Sequence, residues 1–438
     1  MAEKYLVVGA GITGRSAMDF LKKQSIAFDV YDTRQDIPDL ALLKQNYPIS
    51  QFYAASLSTI DWCQYSAVVM SPGINPRHEV VQSAQQFKIP LKGDLQLFAE
   101  TVIKPVIAIT GTNGKSTVTA LVGHLLQQAG IKAQTAGNIG VPMLMPNQSD
   151  IDVWVLELSS FQLWYQQTFA PDVACILNFS EDHLDWHSDM TEYQQAKHRI
   201  FARAKKKIYN ADCLMTYPDN KDNSLSFGLE QQNQPDFTFH NGAFLYRGKT
   251  LFDDTNLPLA GSHNYQNILS ALAIIEAYGQ SLDHMQTNLS TFEGLAHRSQ
   301  LIKERQQVKW INDSKGTNVG ATLAAIQGIG SMLTVDHKIV WIAGGVGKGA
   351  DFSPLSQPVA EHVKCAILLG EDKHKIASVL PPAVPSFFVD SLEEAVVMAD
   401  KYAQPHDSVL FSPACASFDM FDNYVHRGEC FGQLVQEL

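Results

Sequence analysis

Strand-sized apolar runs alternate with segments of helical period along almost the whole chain. This predicts α/β organisation built on parallel sheets. Three blocks repeat the theme, each with a glycine-rich loop behind a strand. In the first, Tyr5-Leu-Val-Val8 runs into Gly-Ala-Gly-Ile-Thr-Gly at Gly9–Gly14. A strand at Phe28–Tyr31 leads to Asp32-Thr33-Arg34, and one at Ala67–Met70 ends at Ser71-Pro72-Gly73; the block closes near Lys92-Gly93-Asp94. The second block starts at Val106–Ile109 and continues through strands at Val153–Leu156 and Ala174–Leu177. Residues 224–259 shift to short polar β-like runs, read as a small antiparallel insert, and a helix follows from His263 to Tyr278. The third block begins near Gly294-Leu-Ala-His-Arg298. Its strands are expected at Trp310–Ile311, Ile339–Ala343, Ala366–Leu369 and Ser408–Phe411.

The most specific chemistry lies in the second block, where residues 106–119 read V-I-A-I-T-G-T-N-G-K-S-T-V-T. A β-branched run enters a glycine-rich turn. Lys115, Ser116 and Thr117 then open a helical pattern at Val118, Leu121, Val122 and Leu125. Strand, loop and helix N-terminus together make a phosphate cradle. Lys115 supplies a point charge for the β/γ-phosphates and Ser116 a hydroxyl for Mg²⁺. The loop is a shortened Walker variant, with Ile109 where the longer pattern has glycine. Glu157, ending an apolar strand beside this loop, suits a metal-binding acid, with an N-cap or surface carboxylate as the bland alternative. Asn178-Phe-Ser-Glu181-Asp182-His183-Leu-Asp185-Trp-His187 crowds titratable groups behind another strand, where a neutral His183 could ligate a metal or hold a phosphate oxygen.

Gly9–Gly14, with Asp32 at the next strand end, fits a dinucleotide fingerprint. Any pyrophosphate-containing nucleotide satisfies the same physics, as does a tight packing turn. Ser71-Pro72-Gly73 reads equally as a turn or as a ligand loop. Asn264 and Asn267 could bond a base or cap their helix. Asn312-Asp313-Ser314-Lys315-Gly316-Thr317-Asn318 supplies both charges within one loop. Gly344-Gly345-Val346-Gly347-Lys348-Gly349 is either a second nucleotide loop or a carboxylate grip. Lys197, in Gln195-Ala196-Lys197-His198-Arg199, reads as an ordinary solvated helix lysine.

Length and composition narrow these readings. At 438 residues, two or three domains are expected. A net charge of −12 disfavours non-specific nucleic-acid or anionic-membrane binding. Apolar runs are too short to span a bilayer, and Gly9 and Gly11 interrupt the N-terminal one too early for a signal peptide. The six cysteines are scattered without C-x-x-C spacing, which predicts free thiols in a reducing cytoplasm and no zinc site.

These motifs resemble, nearly end to end, the Mur ligases of bacterial peptidoglycan assembly. The resemblance rests on Gly9–Gly14, Asp32-Thr-Arg34, Ser71-Pro-Gly73, Gly111-Thr-Asn-Gly-Lys-Ser-Thr117, Gly137-Asn-Ile-Gly140, Glu157-Leu-Ser-Ser-Phe-Gln162 and Glu181-Asp-His183. Further along it rests on His263-Asn-Tyr-x-Asn267, His297-Arg298, Asn312-Asp-Ser-Lys-x-Thr-Asn318 and Ser412-Pro-Ala-Cys-Ala-Ser417. Ser-Ser-Phe-Gln and Ser-Pro-Ala-Cys-Ala-Ser point to the D-glutamate-adding branch. The Asp-Asn-Pro-Arg signature of the diaminopimelate-adding relative is absent, and the shortened phosphate loop is normal for the family.

The resemblance implies a three-domain α/β architecture. A Rossmann-like UDP-substrate domain would span residues 1–93, a P-loop ATPase domain 94–294, and a Rossmann-like amino-acid domain 295–438. It implies ATP-dependent addition of D-glutamate to UDP-N-acetylmuramoyl-L-alanine through an acyl phosphate, by a cytoplasmic monomer with no nucleic-acid or membrane partner. Gly111, Thr112, Asn113, Gly114, Lys115, Ser116, Thr117, Asn264, Asn267, Arg298 and Asp313 would bind ATP. Ile12, Thr13, Asp32, Thr33, Arg34, Ser71, Pro72, Gly73 and Asn138 would face the UDP substrate. Thr317, Lys348 and Ser417 would hold D-glutamate, with Phe418 and Tyr424, where the family pattern has Leu and Phe, lining that pocket. Ser116, Glu157, His183 and Lys197 would serve two Mg²⁺ ions. Lys197 would do so as a carbamate formed with CO₂, and Lys115, Glu157, His183 and Lys197 would carry catalysis. Among rivals, a nicotinamide dehydrogenase leaves Lys115–Thr117 idle, and a nucleotide switch leaves His183 and the Asn312–Asn318 loop idle. A folylpolyglutamate-type ligase shares the chemistry but should lack the fingerprint at Gly9–Gly14.

Overall fold

A computed structural model of the protein describes residues 3–145, 147–255, 257, 262–334 and 336–438. Three sheets follow one another along the chain, each flanked by helices. Their central strands are apolar throughout, as in Val153–Glu157 and Ile339–Gly344, where every residue is buried. Parallel strands covered on both faces require this near-continuous apolarity.

The first sheet is five-stranded and wholly parallel, in the order Phe52–Ala54, Ala27–Asp32, Lys4–Val8, Ala67–Met70, Leu91–Gly93. The order reverses beside Lys4–Val8, so the loops after Val8 and Met70 flank the crevice where open sheets bind ligands. Helix Ile12–Lys23 closes tightly onto this strand because residue 14 is glycine. A Cβ there would collide with the Gly9 carbonyl.

The second sheet has nine strands. At one end Val106–Thr110 lies between Val153–Glu157 and Val173–Ile176, parallel to both. The phosphate loop, Glu157 and the His183 loop therefore leave one sheet edge side by side. The polar 224–259 region departs from the expected separate antiparallel insert. Ser224–Gly228 and Phe237–His240 continue the parallel sheet, and only Ala243–Tyr246 and Lys249–Asp253 turn antiparallel. Leu259, at the end of that region, lies outside the described residues, as do the side chains of Ser262 and His263 at the start of the following helix. Helix Lys115–Gln128 buries Val118, Leu121, Val122 and Leu125 in a core shared with helix Ser262–Tyr278.

The third sheet runs Gln300–Arg305, Val308–Asn312, Ser408–Phe411, Ile339–Gly344, Val363–Leu369, Ser386–Phe388, parallel except for the first pair. Its three central strands deliver the loops beginning at Asp313, Gly345 and Ser412 to one edge. Among the described residues no helix is long and apolar enough to cross a membrane.

Candidate active site

A cavity of about 530 Å³ opens at the reversal point of the first sheet. Ile12, Thr13, Asp32, Thr33, Arg34, Ser71, Pro72, Gly73 and Asn138 all line it. Helix Ile12–Lys23 starts at Gly11 without a capping side chain, so its first N–H groups are left for an anion. Ser71 Oγ is buried with no hydrogen-bond partner among the described residues. Asp32 is bound by Arg34, through Nε to Oδ1 and Nη2 to Oδ2, both at 2.8 Å, and by the Ala10 N–H at 2.8 Å. Burial pushes this carboxyl up, but those bonds outweigh it and bring its pKa to about 2. Asp32 thus organises Arg34 and the glycine turn.

The phosphate loop is held from below. Asn178 Oδ1 accepts the Asn113 N–H at 2.8 Å, and Asn178 Nδ2 donates to the Asn113 carbonyl at 3.1 Å. Gly114, at φ 79°, leaves helix Lys115–Gln128 without a side-chain cap. Its missing Cβ lets the Asn267 amide approach the turn. Lys115 folds back to donate to the Thr112 carbonyl at 2.7 Å, and burial lowers its pKa against the pull of Glu157.

Glu157 is 2% exposed. Asn138, which lines the first cavity, donates through Nδ2 to Glu157 Oε1 at 2.8 Å. Oε2 is buried without a hydrogen-bond partner among the described residues. Burial pushes this carboxyl up, but the Lys115 charge and the Asn138 amide outweigh it and hold it below the usual glutamate range. His183 adopts a left-handed backbone at φ 58°, a costly conformation for a non-glycine residue and one that clusters at functional sites. Burial, reinforced by the charges of Lys115, Lys197 and Lys348, lowers its pKa against Asp182. Its imidazole is therefore neutral, the form that binds metals. Among the described residues no three His, Cys, Asp or Glu converge on one point. An orphaned carboxylate oxygen beside a phosphate loop fits Mg²⁺, which takes few protein ligands and completes its shell with phosphates and water.

Lys197 overturns its reading as a solvated helix residue: it is 1% exposed. Helix Met190–His198 turns it inward, where Nζ donates to the Gly111 carbonyl at 2.8 Å and lies 4.7 Å from the Tyr193 ring centre. Among the described residues it makes no salt bridge, and burial drives its pKa well below the usual lysine value. Burial here favours the uncharged form, and a lysine in its amine form is a nucleophile.

The third block closes over the loop across a cleft of about 960 Å³. Arg298 Nη2 donates to Ser116 Oγ at 2.8 Å. Asn318 Nδ2 donates to Asn113 Oδ1 at 3.4 Å and Asp182 Oδ2 at 3.3 Å. Asn113, Gly114, Thr117, His183, Asn264, Asn267, Arg298, Asp313, Thr317 and Lys348 line this cleft. Gly111, Thr112, Lys115, Ser116, Glu157 and Lys197 are not part of its lining. Asp313 accepts the Ser299 N–H at 3.1 Å and the Ser412 hydroxyl at 2.7 Å, and burial raises its pKa to about 6 despite those bonds. Paired backbone bonds between Val346 and Ala416, each 2.9 Å, join the Lys348 loop to the Ser417 loop. Ser417 is buried behind the wall, and Phe418 points outward at 70% exposure, so the structure does not bring Phe418 to the cleft. Tyr424 also lies off the wall, with its ring centre 3.8 Å from Lys315 Nζ.

Residues 3–93 match the Mur ligase MurD-like N-terminal domain, 109–275 the Mur ligase middle domain, and 297–415 the Mur ligase glutamate ligase domain. The chain is 44% identical to the UDP-N-acetylmuramoylalanine--D-glutamate ligase of Legionella pneumophila (strain Lens), over 99% of both chains. It is 42% identical to the enzyme of that name from Pseudomonas syringae pv. syringae (strain B728a), over 98% of this chain and 97% of the other. The chain belongs to the Mur ligase family, in its UDP-N-acetylmuramoylalanine--D-glutamate ligase branch. Its fold matches UDP-N-acetylmuramate-alanine ligase MurC from Thermotoga maritima at TM-score 0.61 and 19% identity, over 99% of each chain. It also matches the MurF ligase of Thermotoga maritima at TM-score 0.60 and 14% identity, over 100% of this chain and 98% of the other.

Two groups in this Mur ligase site escaped the sequence reading. Lys315 lines the cleft, and burial with the charges of Arg298 and Lys115 lowers its pKa to about 8. Its loop was singled out, but nothing local distinguished its lysine from a surface one. Asn178 supports the phosphate loop from the next strand, a role set by strand adjacency alone.

Proposed function

We propose that the chain uses ATP to join UDP-N-acetylmuramoyl-L-alanine to D-glutamate. The observation that carries this reading is the bond from Asn138 to Glu157: Asn138 lines the first cavity, and its amide fixes the acid whose strand ends beside the phosphate loop. A substrate anchored by UDP in the first block would there present its far carboxylate to an ATP γ-phosphate. The domain limits follow as 1–93 for the UDP substrate, 94–294 for ATP and 295–438 for the amino acid.

An L-alanyl carboxylate oxygen attacks the γ-phosphorus and ADP leaves. The D-glutamate amine then attacks the acyl carbon of the resulting acyl phosphate, loses a proton, and the tetrahedral intermediate expels phosphate. Lys115 and Arg298 stabilise charge on the transferring group, and the loop N–H groups orient it. Bound Mg²⁺ would supply further charge neutralisation, held through Ser116, Glu157, His183 and a carbamylated Lys197. Positioning of the two reactants can contribute about 7–11 kcal/mol, and a closed third block keeps water off the acyl phosphate. Asn264, Asn267 and Asp313 serve the rest of ATP. Free thiols support a cytoplasmic location, and the chain is taken to act as a monomer.

Lys348, Thr317 and Ser417 grip D-glutamate, and neither Phe418 nor Tyr424 is needed for that grip as the cleft stands. Lys348 is exposed in a left-handed turn at φ 53° and faces the same cleft as His183. Charge-assisted bonds to a carboxylate are worth about 1.5–3 kcal/mol each. Lys348→Ala should therefore raise the D-glutamate KM roughly tenfold or more and change the ATP KM far less. Initial rates with D-glutamate, L-glutamate and D-aspartate check this. An unchanged D-glutamate KM in the variant, or equal use of L-glutamate by the wild type, contradicts the assignment.

A further inference from the structure

The turn behind Ser71-Pro72-Gly73 grips the loop that carries His183. Tyr165 donates through its hydroxyl to the Ile74 carbonyl at 3.0 Å. Asn75 Nδ2 and Arg77 Nη1 both donate to the Trp186 carbonyl, at 3.0 and 2.9 Å. Arg77 Nη2 reaches both Glu192 oxygens, at 2.8 and 3.1 Å, and the Arg77 N–H donates to Asn75 Oδ1 at 2.9 Å, which fixes the turn itself. On the far side, Glu192 Oε2 accepts the Ser188 N–H at 2.7 Å and stands 3.7 Å from His187 Nδ1. His187 Nε2 pairs with Ser160 Oγ at 2.9 Å. The N–H groups of Trp186 and His187 both return to the His183 carbonyl, at 3.0 and 2.9 Å. A continuous set of bonds therefore joins the first cavity's Ser71–Gly73 loop to the strained His183 backbone.

A part-exposed ion pair adds little to stability, and Arg77 is 49% exposed. Its geometry is more telling. One short turn makes two bonds to the Trp186 carbonyl in the His183 loop and two to Glu192 in helix Met190–His198 just after it, and that loop carries His183 to the wall of the cleft.

We propose that Arg77, supported by Asn75, is a positioning residue. It sets the His183 loop in register with the Ser71–Gly73 loop, and so fixes where His183 stands relative to the first cavity. The proposal rests on the ligase reading above. Arg77 lines neither cavity. Its removal should slow the chemistry and leave substrate affinity alone, because small misplacements far from the reacting atoms can cost up to about a hundredfold.

The test uses full-length Arg77→Ala and Arg77→Lys. The alanine variant should lose about tenfold in kcat, while its Kd for UDP-N-acetylmuramoyl-L-alanine, by calorimetry, stays within about twofold of wild type. A non-hydrolysable ATP analogue should bind it severalfold more weakly with Mg²⁺ present and equally without. Lysine, which reaches Glu192 but cannot also hold the Trp186 carbonyl, should recover part of the kcat. A wild-type kcat in Arg77→Ala overturns the proposal, as does an unchanged Mg²⁺-dependent analogue affinity. If the wild type proves inactive with D-glutamate, the ligase reading fails and the analogue binding still judges the clasp by itself.

Discussion

Lys115→Ala should abolish turnover while leaving the affinity for UDP-N-acetylmuramoyl-L-alanine intact. Lys115 sits at the first turn of an uncapped helix, with its ammonium beside the loop carbonyls and its charge felt by Glu157. It is the only lysine of the loop, so nothing in the loop replaces its charge. Removing a single preorganised group that meets transition-state charge typically costs about 10²–10³ in kcat, and a full positive charge on a transferring phosphoryl should cost at least that. The first cavity takes none of its lining from Lys115. Calorimetry with the UDP substrate therefore separates the two outcomes. Loss of that affinity together with the activity would mean that the UDP and ATP sites are not the two cavities assigned to them.

Lys197→Ala should reduce turnover on the order of a hundredfold, and added bicarbonate should not restore it. The argument is one of burial. A lysine almost fully enclosed, with a carbonyl, a hydroxyl and an aromatic face as partners and, among the described residues, no carboxylate in salt-bridge range, gives up its proton more readily than an exposed one. As a neutral amine it can be carbamylated. The carbamate would be an anion at the root of the phosphate loop, in place of the group that donates to the Gly111 carbonyl. The variant should remain folded, because it loses a group whose charged form was already disfavoured there. Circular dichroism with thermal unfolding checks that point. Near-normal turnover by the variant at low CO₂ would show that the carbamate plays no part.

The loops were legible because their signals are local. Glycines at fixed offsets behind apolar strands mark Gly9–Gly14 and Gly111–Gly114, and the structure puts both at helix N-termini without capping side chains. Central strands such as Ala67–Met70 and Ser408–Phe411 were legible to the residue, since burial on both faces leaves uninterrupted apolar runs. Three-residue edge strands at Phe52–Ala54, Leu91–Gly93 and Ser386–Phe388 carry no periodic signal and went unread. The parallel pairing of Ser224–Gly228, an interior strand, was also missed, because a short run alternating polar and apolar residues looks the same in either direction.

Lys197 shows where local reading ends. Its helix is mostly polar, and only tertiary packing turns Tyr193, Ala196 and Lys197 onto the strand end at Thr110. The contact of Arg77 with Glu192, 115 positions apart, is of the same kind. Phe418 is the converse. Family pattern assigns it to a pocket, while here its side chain faces solvent.

The central claim is that ATP cleavage is coupled to amide formation between two particular partners. ADP release by the full-length protein should be measured with ATP, Mg²⁺ and each UDP-N-acetylmuramoyl precursor against a panel of D- and L-amino acids. Sustained release is expected only with UDP-N-acetylmuramoyl-L-alanine and D-glutamate together, in step with phosphate and with the new amide. Equal release without an amino acid, or with L-glutamate in place of D-glutamate, would contradict it.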